Sequence, residues 1–251
     1  MTDRSPVIDV SALTKRYGDV TAVDTLSFTV ASGEVLGLVG PNGAGKTTTL
    51  RALCGIINPT HGTIRIAGHD LAGEAPRAKQ NLAFIPDEPL LFDYLTVEEH
   101  LRFVGRLYGV AEAPARIPTL LEELELTEKR RSLPAELSRG MRQKLAIACG
   151  LLHNPAALIL DEPLTGLDPG GMKRMRATIA ARARDGAAVI LSSHLLHLVE
   201  ELCTRILIIS RGRCVVVGTL QEIVAGRADL QGKSLEDIFL TLTGDRSTRA
   251  P

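Results

Sequence analysis

The chain has 251 residues, 45% of them apolar and 23% charged, with 29 basic side chains against 29 acidic ones. That suits one large α/β domain or two small ones, with a packed core under a charged surface. A formal charge of zero argues against a nucleic-acid partner held by general phosphate attraction, although a local basic patch stays open.

The first residues, MTDRSPVIDV, are polar and lack the apolar core of a leader peptide. VIDVSALTKRYG and TLSFTV alternate in part and are rich in β-branched residues, the pattern of strands. EVLGLVG is a continuous apolar run, expected of a strand buried on both faces. It leads into Gly40-Pro41-Asn42-Gly43-Ala44-Gly45-Lys46-Thr47, which fits G-x-x-x-x-G-K-[ST] between a strand and the helical KTTTLRALCGII. Glycines admit backbone angles that side chains forbid, so successive N–H groups turn inward as an anion nest. The start of the helix adds the positive end of its dipole. A nucleoside triphosphate is the expected ligand. Lys46 reaches the β- and γ-phosphates, Thr47 gives its hydroxyl to Mg²⁺, and Thr48 contacts the α-phosphate. The plainer alternative is a glycine-rich turn.

Gly55 and NPTHG end that helix. GTIRIAGHD reads as a short strand and turn, and LAFIP as a buried strand stopped by Pro86 and Pro89. From Thr96 to about Leu152 the pattern is mostly helical. TVEEHLRFVGRLYG opens with Thr96 and Glu99 at capping-box spacing. IPTLLEELEL follows, then SRGMRQKLAIACGLLH with Ser138 as a candidate N-cap. AALILDEP, AAVILSSH, RILIIS and RCVVVG are short apolar strands, with GGMKRMRATIAARARDG and LLHLVEEL as helices among them. After Gly218 come one or two amphipathic helices and a polar tail.

Strands alternating with helices predict a mainly parallel sheet covered on both faces. The early strands would form a smaller antiparallel layer, and the helical stretch a subdomain inserted into the core. Asp161 ends a strand where such a sheet opens its ligand crevice, so it suits Mg²⁺ coordination through water. Glu162 is placed to polarise an attacking water. His194 also follows a strand, and either caps the surface or contacts the γ-phosphate. Cys54, Cys149, Cys203 and Cys214 show no metal-ligand spacing and are expected to be buried thiols in a reducing cytosol. No apolar run approaches the ~20 residues needed to span a bilayer, so a role at a membrane would require a separate anchor.

In this order and spacing, GPNGAGKTT, LSRGM, LILDEP, TGLDP and SSH resemble the ATP-binding subunit of an ABC transporter, over nearly the whole chain. LTVEEHLRFVGRLYGV and SLEDIFLTLTG resemble, more narrowly, the cassettes of ABC-2-type exporters for drugs, antibiotics, polysaccharides or sodium. The resemblance implies a P-loop NTPase core, an ABC ATPase domain over 1–220 (core about 1–95 and 153–220, helical subdomain about 96–152) and a C-terminal helical tail over 221–251. It implies hydrolysis of ATP with Mg²⁺, and adenine stacked on Tyr17, a residue that reads equally as an edge-strand side chain. It also implies a head-to-tail pair with a second copy or a homologous ATPase subunit. Ser138 and Gly140 of one chain would face Lys46, Asp161, Glu162 and His194 of the other, with Asp168 along the seam or simply a turn acid. The membrane-spanning permease would be a separate chain, and this subunit would sit in the cytoplasm on the inner face of the membrane.

The chain departs from the family pattern in two places. The common signature LSGGQ becomes LSRGM, so Arg139 either adds charge near the phosphates or reaches solvent. The usual glutamine after the LAFIP strand is replaced within PDEP. Alignment puts Asp87 there, as a Mg²⁺ or nucleotide contact, with Glu88 the substitute if the loop is shifted and a partner-facing loop as the bland reading. Two other readings remain. One is a non-transport ATPase of the same superfamily, in DNA repair, chromosome organisation or translation; the chain between Lys46 and Ser138 lacks the sustained heptads of the first two types. The other is a regulatory subunit that binds ATP and barely hydrolyses it.

Overall fold

The runs Val35–Val39, Ala157–Asp161 and Ala188–Ser192 are buried along their whole length, as strands covered on both faces must be. They are the middle of a six-stranded sheet in the computed structural model, which describes residues 5–244. The first four residues and the polar tail expected after Gly244 lie outside the described residues.

In chain order the first half comprises β1 (Pro6–Tyr17), β2 (Val20–Ala31), β3 (Val35–Val39), α1 (Lys46–Leu53), β4 (His61–Ile66), β5 (His69–Asp70), α2 (Ala75–Gln80), β6 (Leu82–Ile85), α3 (Val97–Leu107) and α4 (Ala113–Glu123). Then follow α5 (Arg139–Leu152), β7 (Ala157–Asp161), α6 (Pro169–Arg184), β8 (Ala188–Ser192), α7 (Leu196–Leu202), β9 (Arg205–Ser210), β10 (Arg213–Gly218), α8 (Leu220–Val224) and α9 (Leu235–Thr243). The large sheet runs β10-β9-β3-β8-β7-β6. Its neighbours from β9 to β6 are parallel, and β10 returns antiparallel on β9. The small sheet, β2-β1-β4-β5, is antiparallel throughout. This is the α/β class that the alternation of elements predicts.

Burial of apolar side chains, each worth about 1.5–3 kcal/mol when complete, joins the layers in three clusters. One face of the large sheet packs with α1 against the small sheet, where Ile8, Leu26, Leu38, Leu50 and Ile190 meet. The other face carries α5, α6 and the helical insertion through Leu101, Leu121, Leu145, Ile179 and Leu191. A third cluster joins β3 and β9 to α7, α8 and α9 through Val39, Val199, Ile208, Ile223 and Phe239.

Three local differences from the sequence reading have physical causes. β2 starts at Val20, ahead of TLSFTV, because the link Gly18-Asp19 closes a two-residue hairpin with Tyr17 opposite Val20. α4 starts at Ala113, ahead of IPTLLEELEL, since Pro114 stands at its first turn, where a missing N–H costs nothing. The short α2 has neither a side-chain cap nor an apolar stripe to announce it. Among the described residues, no helix is long and apolar enough to cross a membrane.

Candidate active site

The loop between β3 and α1 turns on Gly45, whose φ of 103° is left-handed; a β-carbon there would come within 2.5 Å of the Ala22 carbonyl oxygen. Only glycine fits both constraints. α1 begins without a side-chain cap, so its first N–H groups remain directed at the loop. Lys46 Nζ donates to the carbonyls of Gly40 at 2.5 Å and Pro41 at 3.1 Å, which keeps the ammonium inside the loop. Burial pushes its pKa below the ordinary value, and the carboxylates of Glu162 and Asp161 pull it partly back.

The whole run Gly40-Pro41-Asn42-Gly43-Ala44-Gly45, with Lys46, Thr47 and Thr48, lines a cleft of about 600 Å³. Asp87, Asp161, Glu162 and His194 line the same cleft. Parallel pairing sets Asp161 beside Ser192, and Ser192 Oγ donates to Asp161 Oδ1. Both residues are buried. That bond fixes one carboxylate oxygen and leaves the other for a ligand. Glu162 takes a left-handed φ of 50°, unusual for a residue with a side chain. Its N–H donates to the Ser192 carbonyl at 3.1 Å, and Oε2 lies 2.9 Å from His194 Nδ1. A carboxylate partner makes Nδ1 the protonated nitrogen and leaves Nε2 facing away from Glu162. Burial raises the Glu162 carboxyl above its ordinary value, against the pull of the His194 imidazole. A carboxyl so placed is a stronger base than an exposed one.

These groups fit a Mg²⁺ nucleotide. The glycine cradle, the enclosed ammonium and a helix start without a cap form an anion site. Among the described residues no three His, Cys, Asp or Glu gather as a metal cage. Thr47 and Asp161 offer the few hard oxygens that Mg²⁺ takes when phosphate and water complete its shell.

Other expected residues stand elsewhere. Ser138 caps α5, its hydroxyl accepting from Met141 N at 3.2 Å. A β-carbon at Gly140 would meet the Gly166 carbonyl oxygen at 2.9 Å, so this glycine lets two backbones approach. Neither residue lines the cleft. Asp168 caps α6 through Gly171 N at 3.1 Å. Tyr17 also stands outside the cleft lining, half exposed, with Lys15 Nζ 5.0 Å from its ring centroid. Arg139 combines both expected places: it is half exposed, and its Nη2 donates to Asp87 Oδ1 at 3.0 Å at the cleft edge. Asp87 lines the cleft, whereas Glu88 lines only a neighbouring groove. Burial raises the pKa of all four thiols, to about 12 for Cys149 and Cys203; Cys54 is buried, and Cys149 and Cys203 are partly buried. Cys214, on the edge strand β10, is exposed, contrary to expectation.

That groove, about 740 Å³, lies between the loop after β6 and the helices α3 and α5. Leu90, Leu91, Phe92, Phe103 and Ile56 line it, and Leu90 is 94% exposed. Phe239 and Leu196 add an apolar side to the cleft itself. Phe239 lies within SLEDIFLTLTG, but nothing in that stretch points to the cleft, because an apolar residue on a helix reads as ordinary core. Ser192 was visible in SSH, but its bond to Asp161 depends on strand register.

Residues 23–165 match the ABC transporter family. The chain is 38% identical over 222 residues to the Nod factor export ATP-binding protein I of Ralstonia nicotianae, covering 88% of this chain and 69% of that protein. It is 33% identical over 239 residues to the ABC-type transporter ATP-binding protein EcsA of Bacillus subtilis, covering 94% and 96%. A solved structure described as the ATP binding subunit of an ABC transporter superposes with a TM-score of 0.90 at 36% identity, covering 94% of this chain and 99% of that one.

Proposed function

This chain belongs to the ABC transporter family as an ATP-binding subunit, and from that premise we propose that it hydrolyses Mg²⁺-ATP, as one of a head-to-tail pair, to power an exporter. One observation carries the reading: the phosphate loop, Asp161 and the Glu162–His194 pair all line a single cleft. The main-chain N–H groups of the loop 40–45, other than Pro41, and the Lys46 ammonium grip the β- and γ-phosphates, and Thr48 contacts the α-phosphate. Thr47 and Asp161 would hold Mg²⁺, which supplies charge neutralisation to the phosphates when bound. Glu162 orients a water and takes its proton as oxygen bonds to the γ-phosphorus and the bond to the β-phosphate oxygen breaks. His194 steers Glu162 through Nδ1, and its imidazole lies at the γ-phosphate end of the cleft.

Ser138 and Gly140 lie outside their own chain's cleft, which supports completion of the site by a second copy or a homologous subunit. The signature residues would approach the far side of the phosphate, with Asp168 at the seam and Tyr17 against adenine. Asp87 serves at the edge of the metal site. The exposed apolar groove suits a separate membrane-spanning permease, and the subunit would lie in the cytoplasm on the inner face of the membrane. We divide it into a core of about 1–95 and 153–220, a helical subdomain of about 96–152 and a tail of 221–251. Export follows the name of the Nod factor relative.

Equilibrium binding of Mg²⁺-ATP to Lys46→Ala tests the reading. Affinity should fall at least about 100-fold, since a buried phosphate contact is lost; unchanged affinity would remove the site. Arg in place of Ser138 in one chain of a mixed pair should disable the cleft of the other chain. A defect confined to the altered chain would rule out the shared site. A steady-state rate no higher in the unaltered protein than in Glu162→Gln would favour the regulatory subunit.

A further inference from the structure

Two side chains of α5 hold the loop that follows β6. Arg139 Nη2 donates to Asp87 Oδ1 at 3.0 Å, and Gln143 Nε2 donates to the Pro86 carbonyl at 3.4 Å. They are four residues apart, hence one turn apart on the same helix face. Gln143 is buried, whereas the Arg139–Asp87 pair is half exposed. The arginine is aimed, not loose. Its stem crosses Gly166, where a β-carbon would meet Arg139 Cδ at 3.0 Å. A cation in the first turn of a helix faces the positive end of the dipole, so the site disfavours an arginine without an anionic partner. Asp87 is that partner. Without Arg139, Asp87 would be a third carboxylate on the phosphate cleft, beside Asp161 and Glu162.

We propose that Arg139 and Gln143 are a two-point clamp that makes the Asp87 loop and the Ser138–Gly140 segment move as one piece, with Arg139 also neutralising Asp87 beside the phosphates. The two departures from the family pattern are then one matched exchange of charge. Asp87 borders both the nucleotide cleft and the apolar groove, so a shift of the loop at the groove reaches the start of α5 through Arg139. Arg139 is thus a positioning residue. The part concerning phosphate rests on the function proposed above; the clamp itself does not.

The test is a double-mutant cycle of Arg139→Gln and Asp87→Asn in the full chain, with two readouts. Amide hydrogen exchange at residues 87–92 without nucleotide reports the clamp. Equilibrium binding of Mg²⁺-ATP at low and high salt reports the charge. Arg139→Gln should speed loop exchange about three-fold, the scale of a half-exposed ion pair, and Asp87→Asn should add nothing further. Arg139→Gln should also weaken Mg²⁺-ATP about three-fold at low salt and less at high salt, with recovery in the double variant. Arg139→Lys should restore salt-dependent affinity. Loop exchange that ignores Arg139→Gln, or effects of the two substitutions that simply multiply, would overturn the clamp. Exchange that responds while Mg²⁺-ATP fails to bind even the unaltered chain would uphold the clamp and defeat the nucleotide reading.

Discussion

The nucleotide cleft and the apolar groove share Thr47, Asp87 and Asp161, yet they are built in opposite ways. The cleft is made at the ends of β3, β7 and β8, strands with no exposed residue. Its carboxylates are fixed by strand register and by neighbours such as Ser192 and His194. The groove is walled by a loop whose Leu90 and Tyr94 are 94% and 92% exposed. A buried histidine holds that loop: His100 Nδ1 donates to the Thr96 carbonyl at 2.8 Å, and Nε2 accepts from Phe92 N at 2.9 Å. Under the proposed function the contrast makes sense: chemistry needs groups that do not reorganise, and docking tolerates a surface that adapts. Changes to the polar groups of the cleft should therefore alter rates in an intact fold, and changes around the groove should alter local stability with the chemistry intact.

Glu162→Gln presses that contrast hardest. Turnover should fall about 1,000-fold, the scale of a lost general base, while Mg²⁺-ATP still binds in equilibrium measurements. Rapid turnover would mean that the base is elsewhere. The fold should not suffer. Because burial raises the Glu162 pKa above its ordinary 4.5, the native chain holds more protons than the unfolded one between 4.5 and the raised value. Stability attributable to this group therefore falls as pH rises through that window. Denaturation at a series of pH values should show Glu162→Gln gaining on the unaltered chain above the window, with the gain gone below pH 4.5.

Phe239→Ala asks where the cleft ends. The residue belongs to α9, beyond the span matched by the family, yet it is 3% exposed and lines the cleft. α9 is tied to α7 by Leu235 N donating to Glu200 Oε2 at 3.3 Å. Removing the ring should cost about 3–4 kcal/mol in denaturant unfolding, with Phe239→Leu much closer to the unaltered chain. A negligible cost would mean that the third apolar cluster does not support the cleft.

The cleft was legible in the sequence because its demands are local. A glycine must sit where φ is positive, a lysine must follow it, and acids must end apolar runs; all these survive as adjacent letters. The parallel core was legible for the same reason, through runs such as VLGLV and LILD. What could not be read depends on distant partners. Ser192 reaches Asp161 only through strand register, and Phe239 reaches the cleft only because α9 folds back on α7. The Arg139–Asp87 pair joins residues 52 positions apart, so each looked like an isolated departure. Ser138 was legible twice over, and the cap it makes on α5 is the reading its own chain displays.

Glu98 offers a gentler probe of the helical side. It accepts from Arg102 at 2.7 Å and from Arg130, tying α3 to the segment before α5. The Arg130 hydrogen bond leads the causes that hold its carboxyl down to about 2, from an ordinary 4.5. A lowered carboxyl contributes stability that is complete above 4.5 and lost as pH falls toward 2. Glu98→Gln should cost about 1.5 kcal/mol at neutral pH, and the gap between the two chains should close on acidification. A gap that persists at low pH would assign the effect to packing and not to charge.

The smallest expected effect is the most discriminating, because it separates the two regions with a residue that belongs to neither cleft nor groove. Thr96 caps α3 reciprocally with Glu99: Glu99 N donates to Thr96 Oγ1 at 3.3 Å, and Thr96 N donates to Glu99 Oε2 at 2.8 Å. Alanine keeps the carbonyl that receives His100 and deletes the cap along with the hydroxyl's own bond to Glu99 Oε2, at a cost of about 1 kcal/mol; serine should cost a few tenths. Hydrogen exchange in α3 should speed up accordingly, with ATP turnover in the absence of a permease unchanged. If Thr96→Ala slows hydrolysis as much as it loosens the helix, the loop held by His100 is part of the catalytic framework. Rigid chemistry and adaptable docking would then be one cooperative unit, and the distinction between the two surfaces would fail.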